Sequence, residues 1–155
     1  MFKKTVLTAA LLLGTAHVAL AQQNFDDWSV SSANGACWAS TTPTSPVDGR
    51  GQPVLSIQNH PSEGVRGSIA LTTGGIDASQ AKAVIEVGDK EFATLTYGEA
   101  AFVGSGKPEA ELTAAMQRGQ ELKISWTSKE GKVDTDIYSL RGFSAAKSEI
   151  DRNCR

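Results

Sequence analysis

The sequence predicts a mainly β domain, an antiparallel β-sandwich-like fold with two short helices, the second at the C-terminus. Three observations carry that prediction. Short runs rich in Val, Ile, Thr, Phe and Trp recur between clusters of Gly, Pro, Asn and Asp, the punctuation of short antiparallel strands. One pair of runs, residues 122–128 and 133–140, alternates apolar and polar side chains as a half-buried hairpin must. Helical periodicity is confined to residues 109–118 and 144–153.

The chain opens on a secretory leader, residues 1–21. Lys3 and Lys4 give a positive start, residues 6–13 an apolar run, and Ala19-Leu20-Ala21 the small-x-small pattern cleaved between Ala21 and Gln22. The alternative, a membrane-anchored N-terminus, needs about 20 apolar residues, more than this run supplies. Residues 22–155 then form one exported domain, long enough to bury a core.

Residues 28–30 and 36–40 read as strands, and the Pro- and Gly-rich residues 41–53 as a loop. A strand at 54–57, a turn at 59–64 and a strand at 66–72 ended by Gly74-Gly75 follow. Residues 83–87 and 92–97 flank a hairpin tip at Gly88-Asp89, which sets Glu86 opposite Glu91. A two-residue tip at Glu130-Gly131 in the next hairpin sets Ile124 opposite Ile137 and Trp126 opposite Thr135. Ser125 then faces Asp136, and Thr127 faces Asp134, on a wet side. The first helix carries Leu112, Ala115 and Met116 on one side, follows Pro108 and ends at Arg118 before Gly119. The second starts from about Ser144 as N-cap, with Phe143, Ala146, Ile150 and Cys154 on one stripe.

Charge and cysteines narrow the function. Fifteen basic and seventeen acidic residues give a net charge of −2, and loss of Lys3 and Lys4 with the leader makes the remaining chain more acidic. Without a basic cluster there is no footprint for nucleic acid or anionic lipid, and after the leader no apolar run reaches spanning length. Cys37 and Cys154 are the two cysteines, and in an exported chain they have one intramolecular pairing, which closes nearly the whole domain. The alternative is two free thiols.

No catalytic, cofactor-binding or metal-ligating set is expected. His60, the imidazole left after the leader, sits between Asn59 and Pro61 in a turn and reads as a solvated turn histidine rather than an imidazole aimed at a nucleophile. One His and two paired cysteines do not make a zinc site. Cys37-Trp38 lacks the preceding glycines and the His and Asn order of papain-like proteases. Gly67-Ser68-Ile69 lacks the second glycine of a nucleophile elbow, and Gly74-Gly75 and Gly104-Ser105-Gly106 are turns rather than phosphate cradles. Asp134 and Asp136 share one strand face and support an alternative reading, a periplasmic hydrolase working through paired carboxylates. Trp126 reads as core and Trp28 and Trp38 as core or disulfide packing, with an exposed ligand platform as the alternative; residues 41–53 read as a loop available for partner contact or equally as a simple crossover.

Several stretches together carry a family likeness: Trp28-Ser29-Val30 with Ala36-Cys37-Trp38-Ala39-Ser40, Phe92 to Thr96, Ala114 to Gly119, and residues 136–146 before Cys154. The chain resembles the invasion-associated locus B family of exported proteins from alphaproteobacteria. The most specific segment is Ser-Leu-x-Gly-Phe-x-x-Ala at Ser139, Leu140, Gly142, Phe143 and Ala146. Many members carry a further cysteine pair where this chain has residues 97–102, which places it in a one-disulfide branch. The resemblance implies a β-rich protein of the periplasm or cell envelope of a Gram-negative bacterium. It also implies no cofactor and no catalytic residue to carry over, which leaves a non-enzymatic role toward an envelope or host-surface partner.

Overall fold

The computed structural model describes residues 22–45, 49–75, 77–79, 81–128 and 131–155. The expected leader, residues 1–21 with Ala21 at its cleavage position, and Glu130 of the expected hairpin tip lie outside the described residues; Gln22 is described and exposed. In chain order the elements begin with strands β1 (Gln23–Phe25), β2 (Trp28–Ala33), β3 (Ala36–Thr41), β4 (Leu55–His60) and β5 (Val65–Thr72). Strands β6 (Lys82–Val87), β7 (Lys90–Ala93), β8 (Leu95–Tyr97) and β9 (Ala100–Phe102) follow. Helix α1 (Lys107–Arg118), strands β10 (Glu121–Thr127) and β11 (Val133–Ser139), and helix α2 (Phe143–Asn153) complete the chain. Seven strands form one antiparallel sheet in the order β1-β2-β3-β4-β5-β9-β8, and four form a second in the order β11-β10-β6-β7.

Period-two alternation turns one face of each sheet inward. Ile57, Ile69 and Leu71 from the first sheet and Ile85, Leu122 and Ile124 from the second are fully buried in one shared core. α1 adds Leu112, Ala115 and Met116 to that core, and α2 adds Phe143, Ala146 and Ile150. The expected mainly β, sandwich-like fold with a C-terminal second helix is therefore the observed one. The disulfide Cys37–Cys154 joins β3 to the end of α2 with 5.8 Å between Cα atoms and a sequence separation of 117. Closing a ring of that size stabilises the fold by on the order of 5 kcal/mol in the chain-entropy picture.

Five local expectations change. Ser128 donates its amide to the Lys132 carbonyl at 2.8 Å, and Gly131 takes φ +80°, so the β10–β11 loop is one residue longer than a two-residue tip. The register slides by one: Ile124 pairs with Asp136, Ser125 with Thr135 and Trp126 with Asp134. A slip of one residue exchanges the faces of a strand, and Asp136 moves from the expected wet side into the core. Asn59 and His60 finish β4 instead of opening a turn, which is confined to Pro61–Glu63 and Gly64. The run 92–97 breaks at Thr94, and its two halves join different sheets. Gly142, not Ser144, caps α2. Trp38 lies half-exposed on the outward side of β3, whereas Trp28 and Trp126 are buried as expected. The Gly88-Asp89 tip stands, with Glu86 opposite Glu91.

Candidate functional site

Asp136 enters the interior on the same strand face as Tyr138 and is wholly buried. Arg50, carried by the 41–53 loop, meets it side-on: Nη1 donates to Oδ2 at 3.1 Å, and Nη2 closes the ion pair on Oδ1. Nη1 also donates to the Thr73 carbonyl at 3.1 Å, and Trp126 Nε1 donates to Asp136 Oδ2 at 3.1 Å. Hydrogen bonding to Asp136 raises the Arg50 pKa above its already high ordinary value. Tyr138 Oη is buried with no hydrogen-bond partner among the described residues. Burial pushes its phenol well above the ordinary range, and the Asp136 charge adds to the shift. Asp134 stands two residues away at the rim, paired with Lys132 at 3.1 Å.

The two aspartates differ in their access to solvent and in their partners. A general acid or nucleophile must present a lone pair or proton to substrate within hydrogen-bond reach. Both oxygens of Asp136 are occupied by fixed donors in a site closed to solvent. The carboxylate holds Arg50, and Arg50 holds its loop.

That loop is fastened at further points. The Thr44 amide and hydroxyl both donate to the Ile137 carbonyl, at 2.7 and 3.1 Å, covering the outer edge of β11, a row of groups otherwise open to another chain. Gly51 donates to the Gly74 carbonyl at 2.6 Å, an approach so close that a Cβ on Gly74 would lie 2.4 Å from the Gly51 oxygen. Residues 46–48 of the loop lie outside the described residues. Of the two sequence readings, partner contact or simple crossover, the fastenings of Thr44, Arg50 and Gly51 fit a crossover tied to the edge of the smaller sheet.

The disulfide marks the other fastening. Asn59, the ladder partner of Cys37, is buried. Its Nδ2 donates to Asp151 Oδ1 at 3.0 Å and to the Ile150 and Cys154 carbonyls at 3.4 Å, while Oδ1 accepts the Gly67 amide at 2.7 Å. A register shift between Gln58 and Asn59 turns this side chain toward α2. Burial raises the Asp151 carboxyl, but the Lys147 ammonium and the Asn59 amide outweigh it and hold the pKa below the ordinary value.

The Ser-Leu-x-Gly-Phe-x-x-Ala segment is a seam between α2 and the first hairpin. Ser139 Oγ donates to Asp27 Oδ2 at 2.7 Å, and Leu140 is buried. Gly142 takes φ +90°, and a Cβ there would lie 1.9 Å from the Phe25 carbonyl oxygen. Phe143 meets Trp28 with ring centroids 5.0 Å apart, and Ala146 is fully buried beside them. Ser139 and Arg141 together pull the Asp27 carboxyl below its ordinary pKa.

The remaining sequence candidates stay apart. His60 Nε2 lies 3.3 Å from Gln58 Oε1 at the end of β4. Among the described residues no three His, Cys, Asp or Glu side chains stand close enough to hold a metal, and no helix is long and apolar enough to cross a membrane. An open depression of about 430 Å³ lies between Glu86, Gly119 and Lys123, and one of about 410 Å³ beside Cys37 and Cys154; neither is lined by Asp134, Asp136 or His60. Sequence reasoning missed Arg50 and Asn59. Arg50 sits between two loop glycines with no periodicity to mark it, and Asn59 precedes His60-Pro61, a turn signal that overrides its strand character.

Fold and fastenings together define a two-sheet β scaffold closed by one disulfide between β3 and the end of its terminal helix. The same architecture occurs in the crystal structure of invasion associated protein B from Bartonella henselae, with a TM-score of 0.63, 19% sequence identity, and coverage of 85% of this chain and 96% of that one. No protein-family model matches the chain, and no match was found among curated proteins.

Proposed function

We propose that the chain is a non-enzymatic binding module of the invasion-associated locus B type, exported to the periplasm or cell envelope of a Gram-negative bacterium. The observation that carries this reading is the full engagement of Asp136 by Arg50 and Trp126, which leaves the hydrolase alternative without its second carboxylate. The covalent link between Cys37 and Cys154 suits an oxidising compartment. Likeness of fold to invasion associated protein B, together with the Ser139–Ala146 segment, supports the family assignment. The role that follows is display of a rigid surface to an envelope or host-surface partner.

Photo-crosslinking in the native envelope, followed by identification of the captured species, tests this reading. We expect the chain in the periplasmic fraction and a discrete crosslinked species that persists in Asp134→Asn. Residence in the cytosol, or a hydrolytic activity abolished by Asp134→Asn with the fold intact, would contradict it.

A further inference from the structure

The two outward sheet faces differ in charge. On the four-stranded sheet the outward positions include Lys82, Glu86, Glu91, Glu121 and Lys123. On the seven-stranded sheet, pairing puts Ser29 opposite Ser40, Ser31 opposite Trp38, and Trp38 opposite Gln58. The same outward rows continue through Ser56 and Ala70, Gln58 and Ser68, and Ala70 and Phe102. The Trp38 row stops at Ser68, the Ser56–Ala70 row runs on through Phe102 to Leu95 on β8, and Tyr97 stands one row further along with Ala100 and Thr72. No Lys, Arg, Asp or Glu occupies these paired positions; His60 at the end of β4 and the exposed Glu99 in the turn between β8 and β9 are ionisable neighbours. Leu95 is 68% exposed and Tyr97 82% exposed, while Trp38 and Phe102 are half-exposed.

We infer that this face binds an uncharged polysaccharide chain. The inference rests on the binding-module reading and names its partner. Hydroxyls and an amide in rows match the hydroxyls of a sugar polymer, and aromatic faces attract the weakly positive C–H groups of sugar rings through their quadrupole. Four ladder steps of about 4.8 Å, roughly 19 Å, separate the strand of Trp38 from that of Tyr97, and the two side chains stand two outward rows apart, so a sugar chain touching both crosses the strands obliquely and covers several rings. Charge complementarity selects among occupants. Nucleic acid and anionic lipid need cations that this face does not carry. A second copy needs an interface core more apolar than rows of serine provide.

The test is retention of the full exported chain, residues 22–155, on microcrystalline cellulose and on chitin, with Tyr97→Ala, Trp38→Ala, Tyr97→Phe and Lys123→Ala compared. Expected is retention on at least one polymer, weakened about tenfold in each alanine variant of the aromatic pair, the size of one lost stacking contact. Tyr97→Phe and Lys123→Ala, the latter on the opposite face, should bind as the parent does. Because Tyr97 is exposed, its variants report on binding even where Trp38→Ala loses stability. Absence of retention on both polymers, retention unchanged in Tyr97→Ala and folded Trp38→Ala, or a dimer dissociated by Tyr97→Ala would overturn the inference alone. Release of soluble sugar from the polymer would instead overturn the non-enzymatic reading beneath it.

Discussion

Arg50 and Asp136, 86 residues apart in the chain, form an ion pair between the two sheets with 8% and 0% of their side-chain surface exposed. Breaking one side of such a pair leaves a buried charge without compensation. Arg50→Ala should cost about 3–5 kcal/mol in chemical denaturation. Arg50→Met combined with Asp136→Leu should recover much of that loss, giving a double-mutant cycle with strong coupling.

Tyr138→Phe removes a buried hydroxyl that has no partner among the described residues. The variant should be more stable by about 1 kcal/mol, because an unsatisfied buried group carries its desolvation cost. Burial raises the phenol of Tyr138 above its ordinary value of 10.0. A raised folded pKa contributes stability that is whole below pH 10 and is lost as pH rises beyond it, because the unfolded chain ionises first. Thermal melts across alkaline pH should therefore fall less steeply for Tyr138→Phe than for the parent.

Asn59→Ala should loosen the C-terminal turn of α2 and cost about 1–3 kcal/mol, since it strips buried partners from the Gly67 amide and the Asp151 carboxylate. The Asp151 carboxyl is held below its ordinary 3.8, so its contribution is present above that pH and disappears as pH falls through the lower folded value. Amide hydrogen exchange near residues 150–154 of Asn59→Ala, followed from neutral pH to below pH 4, should show faster exchange than the parent at neutral pH and a smaller difference in acid.

Gly142→Ala should destabilise by at least about 2 kcal/mol, because φ +90° strains an L-residue and the new methyl meets the Phe25 carbonyl. Melting temperature reads this directly, and Ser144→Ala, whose side chain does not cap α2, should leave it nearly unchanged.

Much of this architecture was legible where a local period or turn governs it. The stripe Phe143, Ala146, Ile150 and Cys154 is a helical repeat, and it delivers the thiol to Cys37. Gly88-Asp89 is a two-residue tip whose register follows from its length. The β10–β11 register was not legible, because one extra loop residue, with Gly131 left-handed, swings Asp136 inward. That inward aspartate is tolerable because Arg50 arrives from a distant loop, a partner no short window reveals. Short strands such as β1 and β9 lack enough alternation to declare themselves and form against longer neighbours. The outer face without charged strand positions emerged only once pairing set Trp38 among serines and put Tyr97 on the same side at β8.

The account depends most on an exported domain closed between Cys37 and Cys154, and intact-mass analysis of protein recovered from the envelope fraction tests it most directly. The predicted result is a chain that begins at Gln22, is lighter than the reduced form by two hydrogens, and resists alkylation until a reductant is added. A mass that retains residues 1–21, or uptake of two alkyl groups without reductant, would contradict it.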